Sequence, residues 1–331
     1  MIPQSTFNMR SAKGWWRKGL GIVLGATPRA TGTLPPVVTL SATDGGALST
    51  VTATSVRVEI TTTGIVGTAV FRAGFDDGLT WPVSGATVAS TYDIGNNVRV
   101  NFPAGTYTND DVYRATLNQW TNLSTLGSAA DLIHATAANQ LLALPAGPDG
   151  DGTSLWAAAA AASTFNFGHD GTNITGFWAG LPRDAGDGSI FATGCGAAAN
   201  RGFMLSYDGG SQRLQFFLSD GAGYIFAASG ANNSTTRNAA HVIAWRYSES
   251  HGTPKVQVWS DNTSVISGDP TGAPSASNAV AGLRLGTRNN GTNSLDGVTY
   301  EGGIFAASFS DREIQRTCRA LARVHGISGV A

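Results

Sequence analysis

The sequence is short of charge. Lys and Arg number 21 and Asp and Glu 22 among 331 residues, so 13% of the chain is charged, about half the usual share of a soluble domain. Lysine occurs only at positions 13, 18 and 255, and glutamate only at 59, 249, 301 and 313. So small a supply of helix-forming charged residues excludes a long helical or coiled-coil protein. The net charge of −1 excludes a globally basic nucleic-acid binder. Cysteine occurs twice, at 195 and 318. That gives neither metal-site spacing nor a disulfide framework; two buried thiols are expected, with a single disulfide as the alternative. No apolar run reaches the roughly 18 residues of a membrane span. The apolar stretch Gly19–Ala26 holds three glycines and no cleavage signal, so it is not read as a signal peptide.

Glycine is abundant, at 43 residues, and the 42% hydrophobic share excludes a disordered chain. The polar surface must be built from Ser, Thr, Asn, Asp, Gln and Gly. The charge is also unevenly placed. Residues 1–43 carry Arg10, Lys13, Arg17, Lys18 and Arg29 and no acid, which leaves −6 for the other 288 residues. The same segment holds Trp15-Trp16 and ends near Pro35-Pro36. Its glycines and prolines prevent a long helix, and it is too short for a core of its own. It reads as an extended arm, residues 1–36, that docks on another subunit, with Arg10, Lys13, Trp15, Trp16, Arg17 and Lys18 as the contact residues. A solvated tail is one alternative, and a membrane-surface or nucleic-acid contact, for which five charges are few, another.

From Val37 to Asn118 the pattern is strand after strand. Val56–Ile60 and Val98–Phe102 alternate with period two, and Gly64, Gly67, Asp77-Gly78 and Gly95-Asn96-Asn97 punctuate them as turns. Such short strands predict a small antiparallel β-sandwich over residues 37–118. The run Gly64–Phe71, then Phe75–Trp81, Val98–Tyr107 and Asp110–Tyr113 resembles a small β-domain that recurs in tailed-bacteriophage virion proteins. Asp110-Asp111 stands where that pattern has Gly-Asp. The resemblance implies a virion location.

A second series of strands follows over residues 119–331. The segments Ser189–Thr193, Gly202–Tyr207, Arg213–Leu218, Ala240–Tyr247 and Lys255–Ser260 are each strand-like, and Asp208-Gly209-Gly210 joins two of them as a hairpin. About a dozen strands predict a large sandwich or jelly roll. The Arg201–Phe216 hairpin, the His241–Asp261 pattern and the closing Leu283–Gln315 stretch resemble the laminin-G-like, concanavalin-A-like lectin sandwich. A short helix is expected after Phe309. Ser310 and Glu313 form a capping box, Phe309 and Ile314 the staple, Ile314, Cys318, Leu321 and Ala322 one apolar face, and Gly326 the stop. Ala157–Ala162 reads as a packed surface helix.

The chemistry-bearing residues are few. None of the four glutamates has a neighbouring carboxylate on the same strand, as a glycosidase pair would need. There is no G-x-S-x-G elbow and no H-x-x-x-H pair; His241 reads as structural. Calcium is a candidate cofactor, on Asp149 and Asp151 in the loop Pro148–Thr153, although a solvated turn explains the same residues. Trp178, Trp245 and Trp259 read as core. Candidate glycan-binding residues are Tyr224, after the turn Asp220–Gly223, and the amides Asn232, Asn233, Asn289 and Asn290.

The resulting expectation is an all-β chain: an N-terminal arm, a small antiparallel β-sandwich and a large concanavalin-A-like jelly-roll sandwich with a short C-terminal helix. The two resemblances imply a non-enzymatic virion protein of a tail, baseplate, fibre or head spike. It would contact other virion proteins through its arm, form a homo-oligomer and bind host-surface polysaccharide, with no nucleic acid and no membrane span. A capsid decoration protein and a secreted bacterial carbohydrate-binding module are the alternatives.

Overall fold

Short apolar runs of period two, rich in Val, Ile, Phe and Trp, form strands, and strands dominate the computed structural model. The structure describes residues 12–32, 35–44, 48, 51–124, 126–153, 156–159, 161–183, 186–195, 200–288 and 293–330. Among them is one α-helix, α1 (Asp311–His325). The chain is an all-β protein, and its strands gather into two units: Met1–Arg17 with Thr121–Leu132 and Gly150–Ala331, and Lys18–Trp120 with Ile133–Asp149.

In the first unit, one sheet runs in the order Ala12–Arg17, Asp296–Phe305, Asn173–Pro182, His241–Ser248, Val256–Ser260 and Thr263–Gly268. A second runs Ala157–Ala158, Arg284–Leu285, Asp187–Ala192, Gly202–Asp208, Arg213–Ser219 and Tyr224–Ser229. Every one of these pairings is antiparallel. The two sheets meet through aromatic side chains: the Trp245 ring lies 5.7 Å from Phe191 and 6.4 Å from Phe203. The opposite face of the first sheet is covered by α1. Ile314, Cys318, Leu321 and Ala322 pack there with Phe177, Ala179, Val242, Ala244 and Phe305. Burial on both faces explains why the His241–Ser248 strand is buried at every position.

The second unit is a smaller sandwich. A five-stranded sheet (Arg29–Thr31, Val112–Arg114, Arg57–Thr62, Val70–Gly74, Val83–Thr87) and a three-stranded sheet (Thr39–Ala42, Val98–Asn101, Thr91–Gly95) share one core. Phe71 of the first sheet stands 5.1 Å from Tyr92 of the second and 5.0 Å from Phe102. Tyr107 is fully buried and its hydroxyl donates to the Pro103 carbonyl at 2.6 Å.

The arm is corrected. Ala12–Arg17 is a strand of the large sandwich, paired antiparallel with Asp296–Phe305. Because successive side chains on a strand point to opposite faces, the two tryptophans enter two different layers. Trp16 packs on Phe165 and Phe191 between the sheets, and Trp15 packs on Phe305 on the helix side. Their exposures of 2% and 0% leave no ring surface for another subunit. Arg17 is drawn inward as well, 3.5 Å from the buried Glu301 carboxylate, and the Lys13 carbonyl accepts the Ser124 hydroxyl. Lys18 falls in the small sandwich. There Arg29–Thr31 adds an edge strand beside Val112–Arg114, so this sandwich begins well before Val37. Arg10 lies outside the described residues.

The described residues of the alanine run are also not α-helical. Ala157–Ala158 pairs with Arg284–Leu285, and a 3-10 segment, Ala162–Gly168, follows. Six residues cannot meet the cost of helix nucleation by propensity alone, and strand pairing wins.

Candidate functional site

The outer face of the second sheet of the large sandwich carries a cleft of about 200 Å³. Strand alternation builds its floor. On Gly202–Asp208 and Arg213–Ser219, the residues Phe203, Leu205, Leu214, Phe216 and Leu218 are fully buried in the sandwich. Their neighbours Met204, Ser206, Gln215 and Phe217 therefore point outward, and register sets Met204 opposite Phe217 and Ser206 opposite Gln215. Beneath Met204, the Ser189 hydroxyl donates to the thioether sulfur at 3.4 Å. Cys195 is buried beside Met204 and Ala192. Burial pushes its thiol up to about 12, so it is an inert apolar filler. Both cysteines are free and buried.

Tyr224 closes one side. The Asp220 carboxylate accepts the N–H groups of Ala222 at 2.8 Å and Gly223 at 2.9 Å, and these bonds hold it below its usual range. Gly221 takes a left-handed φ of 94°, which L side chains rarely adopt. This turn sets Tyr224 opposite Ser219, with its ring 5.4 Å from that of Phe217. Tyr224 stays 37% exposed, and partial burial raises its phenol above the ordinary value, so it is neutral at physiological pH and can donate. Asp187, Arg288 and Asn293 line the rest of the cleft. The Asn293 carbonyl accepts the Ser189 N–H at 3.0 Å, which ties the rim to the floor. The site thus offers two rings, a guanidinium, a carboxylate, two amides and hydroxyls around one concavity.

Of the glycan candidates, the structure puts Tyr224 in this cleft and moves the amides away. Asn232 accepts from the Arg213 guanidinium at 3.3 Å, and the Asn233 N–H donates to the Ser211 carbonyl at 2.9 Å. Both lie beside the hairpin end of Arg213–Ser219, about 20 Å along the strand from Ser219 and Tyr224. They make no common site with Tyr224. Asn289 and Asn290 lie outside the described residues. Sequence reasoning missed Gln215 and Phe217, although Phe216-Phe217 carried a signal: on an alternating strand one of two consecutive phenylalanines must face outward.

In the acidic loop, Asp149 is 7% exposed, and the Asp151 carboxylate accepts the Thr153 N–H at 3.0 Å. The Gly150 carbonyl is taken by Arg183, which also pairs with Asp296 at 2.8 Å. A guanidinium therefore organises this backbone. Among the described residues, no three His, Cys, Asp or Glu side chains converge as a metal requires, and no helix is long and apolar enough to cross a membrane.

No protein-family profile matches the sequence, and no curated protein is significantly similar to it. Among solved structures, the chain is similar to the CBM40 module of the Ruminococcus gnavus IT-sialidase bound to α2,3-sialyllactose. The identity is 13% and the TM-score 0.39, over 44% of this chain and 82% of that one. It is also similar to the leech intramolecular trans-sialidase, at 13% identity and a TM-score of 0.41, over 55% of this chain and 27% of that one. A third is Trypanosoma rangeli sialidase, at 13% identity and a TM-score of 0.45, over 64% and 32% of the two chains.

Proposed function

We propose that this protein is a non-enzymatic structural component of a tailed-phage virion that holds a host-surface carbohydrate in the Tyr224 cleft. The observation that carries the glycan reading is the exposed Tyr224 ring beside Phe217, with Gln215, Asn293 and Arg288 around the same concavity. A sugar ring presents an apolar C–H face and a rim of hydroxyls. Aromatic surface takes the first, and amide and guanidinium groups take the second. A cleft of 200 Å³ is below the roughly 300–1,000 Å³ of drug-sized sites and suits one ring of a longer saccharide.

The glutamates support binding rather than hydrolysis. Each glutamate is committed elsewhere. Glu59 is held by Arg57 and Arg72, Glu249 by Lys255 and Tyr247, Glu301 by His325 and Arg17, and Glu313 by the helix cap. A glycosidase needs a carboxyl with a raised pKa as general acid, and the cap holds Glu313 below its usual range, first through the Ser310 hydroxyl. The virion assignment is supported by the Gly64–Tyr113 pattern. Its residues build the small sandwich: Phe71, Phe102 and Tyr107 in the core, and Asp76, with the Thr80 N–H at 2.9 Å and its hydroxyl at 2.5 Å, in the turn. Labelling purified particles with an antibody to the protein tests this part; particles free of the protein would contradict it.

A further inference from the structure

The C-terminal helix α1 buries one face and charges the other. Arg312, Arg316, Arg319 and Arg323 are all exposed. At 100° per residue they fall within a strip about 60° wide, and at 1.5 Å per residue the strip is about 16 Å long. Ile314, Thr317, Cys318, Leu321 and Ala322, the buried residues, lie on the opposite side. The two acids of the helix lie outside the strip, and Glu313 is near enough to Arg316 to feel its charge. Asp311 receives Arg246 at 3.0 Å, and Glu313 accepts the Ser310 N–H at 2.8 Å in the capping box.

This arrangement is costly for the helix. The arginines repeat at i+3 and i+4, where like charges repel; Arg312 in the first turn opposes the helix dipole, and only Arg323 in the last turn is favoured by it. A merely solvated face mixes signs, and a chain with only 21 basic residues in 331 has little reason to align four of them within twelve positions. The alignment fits a ligand of opposite charge. The apolar face is packed on the sheet, so the helix cannot insert into a membrane surface. The strip holds no aromatic ring on which nucleobases could stack and no large apolar anchor for a protein partner. What remains is a row of arginines that step about 4.5–6 Å along the helix axis, and a guanidinium is shaped for bidentate capture of a carboxylate or sulfate.

We propose that the arginine strip of α1 is a binding surface for a linear acidic polysaccharide, independent of the Tyr224 cleft. The test uses the full chain and two immobilised probes, polygalacturonate and dextran sulfate, with retention measured as salt is raised from about 50 mM. The unaltered protein is expected to be retained and to elute as salt rises. The quadruple variant R312Q/R316Q/R319Q/R323Q should bind at least about ten-fold more weakly, and each single replacement should lower the salt slope by about one. Arg99→Gln, which removes a half-buried arginine paired with Asp93 elsewhere, should leave retention unchanged. The melting temperature of the quadruple variant should hold or rise as the repulsion is relieved, which separates lost binding from lost folding. Equal retention of the quadruple variant, no retention of the unaltered protein on either polymer, or tighter binding to polyuridylate than to both would each overturn the proposal.

Discussion

Gly303 lies directly opposite Trp15 in the sheet, and a Cβ on Gly303 would stand 2.5 Å from Trp15 Cε3. The neighbouring pair repeats the relationship on the other face. Gly302 is opposite Trp16, and its missing Cβ leaves room for Phe191 at 2.8 Å. Gly303 is thus a bare backbone position that admits the Trp15 ring, and Gly302 one that admits Phe191, with Trp16 in ordinary contact at 3.8 Å.

Gly303→Ala should therefore destabilise the large sandwich by about 2 kcal/mol through overpacking. Trp15→Ala should cost about 3–5 kcal/mol through the cavity it opens. A double-mutant cycle by denaturant unfolding checks the coupling. In the Trp15→Ala background, Gly303→Ala should be nearly neutral, and additive costs would contradict the packing described.

The Ser310 cap gives a second prediction. Its hydroxyl accepts the Glu313 N–H and Glu313 reaches back to the Ser310 N–H. Ser310→Ala should cost about 1 kcal/mol, read as a shift of the urea midpoint with an unchanged slope. Ser310→Asp should recover most of it.

His241 supplies a pH dependence. Its burial works against the charged ring, yet Asp261 at Nδ1 and the Thr236 carbonyl at Nε2, 2.7 Å away, together raise its pKa above 6.5. A raised folded value means the imidazolium contributes stability in full below about pH 6.5, and that contribution fades as pH rises through the folded value. The gap in melting temperature between the unaltered protein and Asp261→Asn should be widest at acid pH and narrow on the alkaline side. A gap independent of pH would contradict the pairing.

Much of this fold is legible locally. The Val98–Asn101 strand, the Asp208–Gly210 hairpin turn and the Ser310–Glu313 box each declare themselves within a few residues, because alternation, turn chemistry and capping are short-range. Trp15-Trp16 misleads for the opposite reason. Two adjacent rings beside Arg and Lys look like free anchors until Gly302 and Gly303 are brought against them from the far end of the chain. The cleft is half legible. Tyr224 is marked by its glycine-rich turn, whereas Asp187, Arg288 and Asn293 join it only through strand order, which no local pattern encodes. Asn232 looks equally apt in sequence and is spent on Arg213.

The most direct measurement of the central claim is glycan binding by the unaltered protein and by Tyr224→Ala, first on an array of bacterial surface polysaccharides and then by calorimetry on the best ligand. The account predicts that at least one polysaccharide binds, that Tyr224→Ala weakens it about ten-fold or more (~1.4 kcal/mol) with the melting temperature unchanged, and that Asn232→Ala has no effect. Undiminished binding by Tyr224→Ala, or no glycan bound at all, would contradict it.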